Sequence, residues 1–581
     1  MTRLAVIEKE KCNPNNCGNY LCIRFCPVNR TGKECIIEGE DFKARIQTEL
    51  CTGCGICPKR CPYGAIHIIN LPEELDTKII HQYGDNGFHL YSLPTPMFGK
   101  VVGIVGKNGI GKSTAIKILA GVLKPNMGGE KEAEIDQIIE FFKGSEAQNY
   151  FEKLKAGDIK VSYKPQAIDQ LPKLYKGTVK ELLQKVDETG QLNEVAERLD
   201  LNPVMDNDIS KISGGELQRL AIAGTVLKKA NLYLFDEPTS YLDIKQRIRL
   251  SKFLRELASK DTAVLVIEHD LIVLDYMADL AHIMYGKEAA YGIVSHPKPT
   301  RTGLNIYLQG FLKEENIRFR DHVIAFPDKP PIKDKARPIL AEWPVLKKQL
   351  GSFSLEAEQG SIEQHRVIGI LGANGIGKTS FVRILAGELQ PDEGEMKQLK
   401  VSYKPQYLTS DNSLVAAKLK DAARHEVQLM RPLDLKGLMT KRLNELSGGE
   451  LQRVTVAECL AREADLYLLD EPSAYLDVEQ RLELAKIIND RLQDSGASAL
   501  IVDHDLLFAE AVAERLIVFD GQPAVHGILK GPYSMEDGMN TFLSDLNITL
   551  RRDPESKRPR INKEGSQKDR EQKEKGKLYY Q

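Results

Sequence analysis

One stretch of this chain occurs twice and constrains everything else. Ile212–Asp243, ISGGELQRLAIAGTVLKKANLYLFDEPTSYLD, returns at Leu446–Asp477 as LSGGELQRVTVAECLAREADLYLLDEPSAYLD. Asp236 follows Ser213 by 23 positions, and Asp470 follows Ser447 by 23. Each copy reads as a glycine turn, a helix and a short continuous apolar run, Leu232–Phe235 or Leu466–Leu469. Such runs are expected of central parallel strands covered on both faces. Each then ends on Asp-Glu, which puts two acids at the carboxyl edge of a sheet, where open α/β sheets bind ligands.

A phosphate loop precedes each copy. Val101–Val105 reads as a buried strand running into Gly106-Lys-Asn108-Gly109-Ile-Gly111-Lys112-Ser113-Thr114 and a helical AIKILAGVL. The second loop is Gly372-Ala-Asn374-Gly375-Ile-Gly377-Lys378-Thr379-Ser380. G-x4-G-K-[ST] between strand and helix is a P-loop. Its amides hold the β-phosphate, and Lys112 and Lys378 reach the β/γ oxygens. Ser113 places its hydroxyl on Mg²⁺, with Thr379 at the matching position.

A P-loop with a strand-end Asp-Glu is a nucleotide hydrolase site. Asp236 and Asp470 are expected to hold Mg²⁺ through water, and Glu237 and Glu471 to orient or deprotonate the attacking water. Val161-Ser-Tyr-Lys-Pro-Gln166 recurs letter for letter at Val401–Gln406, and Gln166 and Gln406 can bridge Mg²⁺ and that water. His269 in Glu268-His269-Asp270 and His504 in Asp503-His504-Asp505 can hydrogen-bond the γ-phosphate. A lone strand-end histidine is more often structural; the same partners in both copies carry the functional reading.

Ser213, Gly214, Gly215 and Glu216 open one helix, and Ser447, Gly448, Gly449 and Glu450 another, so each copy has a second anion site. A second phosphate device per copy makes sense if it serves the other copy's ATP. The expected fold is therefore α/β, two tandem P-loop ATPase domains packed head to tail, Lys112 facing Ser447 and Lys378 facing Ser213. ATP closes such a pair because its γ-phosphate contacts exist only in the closed state.

Nine of the ten cysteines lie between Cys12 and Cys61, a metal or cluster site. Cys51-x2-Cys54-x2-Cys57-x3-Cys61-Pro62 has the ferredoxin spacing of a [4Fe–4S] cluster, in which the fourth cysteine ligates the other cluster. Cys12-x4-Cys17-x4-Cys22-x3-Cys26-Pro27 is a looser version. Crossed ligation assigns one [4Fe–4S] cluster to Cys12, Cys17, Cys22 and Cys61, and a second to Cys26, Cys51, Cys54 and Cys57. Zinc is the competing metal for such thiolates. Cys35 is left over as a structural thiol.

The expected domains are an α+β ferredoxin-like head over 1–74, closed by a short strand at Ile66–Ile69, a first ATPase unit over 75–300, a connector over 301–339, a second unit over 340–540 and a basic tail over 541–581. Lys112 to Gln166 is 54 positions and Lys378 to Gln406 is 28. The difference of about 26 residues lies at about 128–155, where IDQIIEFF and AQNYFEKLK flank Lys143-Gly144-Ser145 and suggest a helix–turn–helix insert. It reads either as a solvated decoration or as a docking element. The connector holds Pro327, Pro330, Pro331 and Pro338. Over 551–577, Lys and Arg number 11 and Asp and Glu 6; such a tail is either disordered, folded back on the connector, or in contact with RNA phosphates. Net charge is -2, so nucleic-acid contact is confined to local patches. No apolar run approaches the ~20 residues that span a bilayer, and no export signal opens the chain. A cytoplasmic protein in a reducing compartment is expected.

LSGGELQ with DEP and EHD resembles the ABC-type ATPases. Twin cassettes on one chain behind a two-cluster head resemble the ABC-E family, the ribosome-recycling ATPases also called RNase L inhibitors. GxNGIGKST, the FKGSEAQNYF insert, EENIRFRD and the RRDP…RPRIN tail extend the likeness over nearly the whole chain. The resemblance implies a monomer with an intramolecular cassette dimer that binds ATP and Mg²⁺. Closure would swing the cluster domain against a bound release factor or Pelota-type rescue factor and split ribosomes after termination or stalling. The chain would then stay on the small subunit, where initiation factors are further partners, until hydrolysis. The resemblance also implies that the insert and two hinges, about 300–320 and 545–565, contact ribosomal RNA and proteins. Tyr83 or Phe88 would stack on adenine in the first copy and Phe353 in the second, and Asp243 and Asp477 belong to the D-loops. There Ser240-Tyr-Leu-Asp243 becomes Ala474-Tyr-Leu-Asp477, so one hydroxyl is missing and the two sites need not turn over equally. Two other classes stay open: an ATP-gated iron–sulfur electron carrier, and a transporter cassette pair detached from its membrane partner.

Overall fold

The computed structural model describes residues 2–7, 11–39, 42–47, 50–71, 79–84, 87–129, 131–326, 337–395 and 399–580. Packing divides the chain into two compact units. The first is Met1–Ser240, Lys252–His269 and Met277–Ile324; the second is Tyr241–Ser251, Asp270–Tyr276 and Ala325–Gln581.

In the head, Thr2–Ile7 pairs antiparallel with Ile66–Leu71. The closing strand thus runs two residues past Ile69, and its partner is a segment that the cysteine spacing does not announce. A second pair joins Ile36–Glu38 to Ala44–Ile46. Two short helices, Leu21–Phe25 and Ile56–Arg60, carry Cys22 and Cys57. The core is Ala5, Ile7, Ile36, Ala44, Ile46 and Ile66 with Cys22, Cys26, Cys35 and Cys57. An interior so poor in large apolar groups depends on what its thiols bind.

Each cassette is built on one sheet with the same strand order. In the first, a parallel block runs Leu280–Lys287, Val101–Val105, Ala263–Ile267, Leu232–Asp236, Val161–Lys164. In the second it runs Arg515–Gln522, Val367–Leu371, Ser498–Val502, Leu466–Asp470, Val401–Lys404. The acid strands, the strands that lead to the histidines and those that lead to the P-loops are buried throughout, as continuous apolar runs require. Register aligns their ends: Asp236 lies opposite Ile267, and Ile267 opposite Ile104. The P-loop, the acid pair and the histidine segment therefore leave the sheet at one carboxyl edge. Asp470, Val502 and Ile370 repeat the alignment.

The P-loop helices, Lys112–Leu119 and Lys378–Leu385, start after Gly111 (φ 88) and Gly377 (φ 95). That left-handed backbone favours glycine. The space does too: a Cβ on Gly111 would meet the Phe88 ring at 2.3 Å, and one on Gly377 the Phe353 ring at 3.0 Å.

The insert forms two helices, Ile135–Phe141 and Glu146–Ala156. It is not a loose decoration. Ala133, Ile138, Tyr150 and Phe151 join the first cassette's core, and the Tyr150 hydroxyl donates to the Leu119 carbonyl at the end of the P-loop helix.

Two expectations need correction. Much of the connector expected over 301–339 is folded into the first unit. Thr300–Gln309 is a half-buried helix packed on Leu280–Lys287, Phe311–Leu312 pairs with Ile317–Arg318, and the unit continues to Ile324. Pro327, Pro330 and Pro331 lie outside the described residues. The basic tail, for its part, is not disordered. Leu550–Arg552 pairs with Pro559–Ile561, and Gln567–Glu574 is a helix. Arg558 and Arg560 pair with the buried Asp275, and Arg552 with Glu510. Composition predicts disorder only when charges stay solvated; here distant acids neutralise them.

Candidate ATPase sites and cluster pockets

The structure brings the expected hydrolysis residues together in both copies. Gln166 Nε2 donates to Glu237 Oε1 at 2.8 Å, and Gln406 Nε2 to Glu471 Oε1 at 2.7 Å. His269 Nε2 lies 3.5 Å from Glu237 Oε1, and His504 Nε2 3.6 Å from Glu471 Oε1. Each glutamate is thus held by an amide, with an imidazole close by, an arrangement suited to a group that accepts a proton from water. Lys112 Nζ donates to the Gly106 carbonyl at 2.9 Å and Lys378 Nζ to that of Gly372 at 3.0 Å, so both ammonium groups sit inside their loops. The Thr379 hydroxyl donates to Asp470 Oδ2 at 2.7 Å, while Asp470 Oδ1 is buried with no hydrogen-bond partner. The Ser113 hydroxyl stands near Asp236, both of whose carboxylate oxygens are buried with no hydrogen-bond partner. Hard oxygen donors with spare capacity fit Mg²⁺, which Asp236 with Ser113 and Asp470 with Thr379 would hold; the ion would supply charge neutralisation on the phosphates.

Four further residues shape the acid turn. Glu237 and Glu471 have φ of 46° and 48°, a costly backbone for a non-glycine residue. Gln218 Nε2 donates to the Glu237 carbonyl at 2.8 Å, and Gln452 Nε2 to that of Glu471 at 2.7 Å. Lys164 Nζ donates to the Asp236 carbonyl at 3.0 Å, and Lys404 Nζ to that of Asp470 at 2.7 Å. All four side chains are buried. The repeats held the signal: Lys and Gln are invariant between VSYKPQ and SGGELQR in both copies.

Burial, and then the neighbouring Asp236 charge, raises the Glu237 carboxyl above its ordinary range. Burial followed by the charges of Asp470 and Asp503 pushes Glu471 up to about 7, suited to proton transfer near neutrality. Burial and the Lys378 charge hold His504 well below the ordinary histidine range, so it is a neutral ring. The copies differ at the D-loop. The Ser240 hydroxyl donates to Glu237 Oε2 at 3.2 Å, whereas Ala474 offers Glu471 no hydroxyl.

Ser213 and Ser447 cap their helices, and Glu216 and Glu450 close the capping boxes: the Ser213 N–H donates to Glu216 Oε2 at 2.7 Å and the Ser447 N–H to Glu450 Oε2 at 2.8 Å. The two glutamates therefore shape the turn, leaving Gly214, Gly215, Gly448 and Gly449 at the helix N-termini. Within the second unit, Asp243 Oδ2 accepts from the Asn374 backbone N–H at 3.0 Å, and the Tyr241 carbonyl accepts from Asn374 Nδ2 at 3.0 Å. D-loop residues of the first repeat thus grip the second phosphate loop. Asp477 caps the helix Val478–Ser495, accepting from the Gln480 N–H at 3.0 Å. Phe88 and Phe353 occupy matching places, the first against Gly111 and Gly292, the second against Gly377 and Gly527. Tyr83 is 46% exposed, and its hydroxyl pairs with Thr114.

The cysteines gather as crossed ligation expects. One pocket is lined by Cys12, Cys17, Cys22 and Cys61. Another is lined by Cys26, Cys51, Cys54 and Cys57, with Cys35 beside them. Among the described residues, no group of three or more His, Cys, Asp or Glu is arranged to hold a single metal ion. Four cysteines lining each pocket, in ferredoxin spacing, fit [4Fe–4S] ligation, and these cysteines would hold such clusters. Amides of Gly53 and Ala65 donate to the sulfurs of Cys51 and Cys61. Burial, then neighbouring cysteines, push Cys22 and Cys57 up to about 12, so thiolates gathered here would need a bound cation to offset their charge. Cys35, also pushed up to about 12, is buried next to Cys26 and Cys51.

Two cassettes of this strand order, each with a P-loop, acid turn and SGGE helix, and a cysteine-lined head define an ABC-type ATPase with a ferredoxin-like domain. The ABC transporter family model matches residues 97–240 and 355–474, a possible Fer4-like domain in RNase L inhibitor matches 2–34, and a 4Fe–4S binding domain matches 44–67. An uncharacterized ABC transporter ATP-binding protein of Methanocaldococcus jannaschii is 51% identical over 590 residues, covering 100% of this chain and 97% of that protein. A model of ribosome-bound archaeal Pelota and ABCE1 contains a chain 51% identical, with TM-score 0.93 and coverage of 100% and 99%. The complex of the archaeal ribosomal stalk protein aP1 with the archaeal ribosome recycling factor aABCE1 gives 50% identity and TM-score 0.82, covering 88% of this chain and 100% of that one. The chain belongs to the ABC-E, or RNase L inhibitor, family, and it is an ATPase. Among the described residues, no helix is long and apolar enough to cross a membrane.

Proposed function

We propose that this ATPase is a ribosome-recycling factor. ATP binding draws the cassettes together, each phosphate loop being completed by the other copy's serine–glycine turn. Closure displaces the two-cluster head against a release factor or a Pelota-type rescue factor and separates the ribosomal subunits after termination or stalling. The chain then remains on the small subunit, in contact with ribosomal RNA and proteins and open to initiation factors, until hydrolysis reopens it. Glu237 and Glu471 serve as general bases, Lys112 and Lys378 bind the phosphates, and Phe88 and Phe353 stack on adenine.

The observation that carries this reading is the grip of Asp243 and Tyr241 on Asn374. A first-copy D-loop that holds the second P-loop supports shared sites, and shared sites turn nucleotide binding into movement. The relatives' association with ribosomes, Pelota and a stalk protein supports the choice of target. Sedimentation of terminated or stalled ribosomes with the protein, the matching factor and ATP tests it. Free subunits above the no-ATP control are expected; intact ribosomes in every gradient would end the proposal.

A further inference from the structure

We propose that Lys164 and Lys404 are positioning residues for hydrolysis, setting the place of the Glu237 and Glu471 carboxylates through the main-chain carbonyls of the Asp-Glu turn. The inference rests on the reading of those glutamates as general bases. Each lysine ends its strand, Val161–Lys164 or Val401–Lys404. Pairing puts Lys164 opposite Phe235 and Lys404 opposite Leu469, one residue before the acid pair. From there Nζ runs along the strand end and reaches two consecutive carbonyls, those of Asp236 and Glu237 at 3.0 and 3.4 Å, or of Asp470 and Glu471 at 2.7 and 3.2 Å.

Bridging consecutive carbonyls fixes the intervening backbone, and that backbone is the unusual part. With φ of 46° and 48°, the glutamates leave the strand geometry, and their carbonyls need new donors. The glutamine of the SGGE helix supplies one, and the lysine adds a second. A wholly buried ammonium is an expensive choice where an apolar side chain would pack. Burial accordingly draws both lysines down to about 8. The same costly arrangement in two copies, aimed at the same two carbonyls, points to a function beyond packing. The ammonium bonds to peptide oxygens, so it acts through the glutamate and not on the reacting atoms. Misplacing a reacting group by about 1 Å costs on the order of 100-fold in rate.

The test uses the full chain carrying Lys164→Met and Lys404→Met together. Steady-state hydrolysis gives kcat and KM, and titration with a fluorescent ATP analogue gives affinity. The expected result is a fall in kcat of at least about 10-fold, with KM and affinity within about twofold. Lys164→Arg with Lys404→Arg, which keeps charge and donors, restores most of kcat. Adding the methionine changes to Glu237→Gln/Glu471→Gln lowers kcat no further, because the lysines act through the carboxylates already removed. An unchanged kcat, a matching loss of affinity, or a further drop in the glutamine background overturns the proposal. Should the methionine pair not fold, Lys164→Gln with Lys404→Gln is read by the same criteria. Full hydrolysis by Glu237→Gln/Glu471→Gln alone overturns instead the general-base reading on which this rests.

Discussion

The sharpest difference between the two sites is one oxygen atom. Ser240 donates its hydroxyl to Glu237 Oε2 at 3.2 Å, and Ala474 stands where the second copy needs its equivalent. A hydrogen bond donated to a carboxylate favours the charged form and lowers its pKa. A general base must be deprotonated, so the acid limb of the pH–rate profile follows that pKa. Glu471 lacks this donor and is pushed up to about 7. Ala474→Ser is therefore expected to move the second site's acid limb to lower pH, and Ser240→Ala to move the first site's to higher pH. At 3.2 Å the bond falls in the modest range of about 0.5–1.5 kcal/mol, and one pKa unit is worth about 1.36 kcal/mol. The expected displacement is thus about 0.4–1 pH unit in each direction.

Single-turnover hydrolysis between pH 5.5 and 8.5 is the assay, with Lys112→Ala isolating the second site and Lys378→Ala the first. Nucleotide affinity measured at each pH separates binding from chemistry. Limbs that do not move, or that move the same way in both variants, would refute the link between the D-loop hydroxyl and the glutamate. A change in plateau rate with a fixed limb would do so too, since it would place the hydroxyl's effect elsewhere.

Three other outcomes are expected. Glu237→Gln with Glu471→Gln keeps the turn's carbonyl contacts but removes the base, so hydrolysis should fall about 10²–10⁴-fold while the ATP-loaded chain stays on the small subunit in gradients. Cys26→Ser with Cys35→Ser should leave Cys51, Cys54 and Cys57 open to alkylation and about half the iron in place, because the second pocket loses its contribution from the first cysteine run; peptide mapping that found Cys12, Cys17 and Cys22 labelled instead would reject crossed ligation. Asp275→Ala strands the buried Arg558, which pairs with it at 3.4 Å. Breaking such a buried pair costs about 3–5 kcal/mol, so trypsin should release the segment after Asn547 faster than in the parent chain, and an unchanged digestion pattern would count against the tail as a packed element.

Most of the site was legible because its chemistry is local. The P-loops, the Asp-Glu strand ends and the ferredoxin spacing each place their ligands within a few residues, and the structure assembles them as the spacing implies. Crossed ligation was readable for the same reason, since the fourth cysteine's reach is set by a short helix. What stayed hidden acts over distance and through peptide groups. Lys164 serves carbonyls 72 and 73 positions away, and a side chain bonded to a carbonyl leaves no complementary residue type to notice. The tail misled for a related reason. Its arginines look unpaired until Asp275, 285 positions from Arg560, lies beside them. Glu216 and Glu450, read as part of the signature turns, close the capping boxes there.

The division of the chain bears on how the two copies work. It falls beside the proline-rich connector, between Ile324 and Ala325, and also inside the first cassette. Ser240 goes with the first unit, whereas Tyr241 and Asp243 go with the second; His269 goes with the first and Asp270 with the second. The break thus passes through two motifs of the first copy, between residues that touch its own glutamate and residues that pack elsewhere. On the far side of that break, Asp270 accepts from Arg247 at 2.9 Å, one helical turn from the Asp243 that holds Asn374. His269, beside the Glu237 carboxylate, is therefore followed directly by a segment packed in the second unit. The ion pair to Arg247 fixes Asp270 within the second unit, so the peptide link between His269 and Asp270 is a point where the two units meet in the chain.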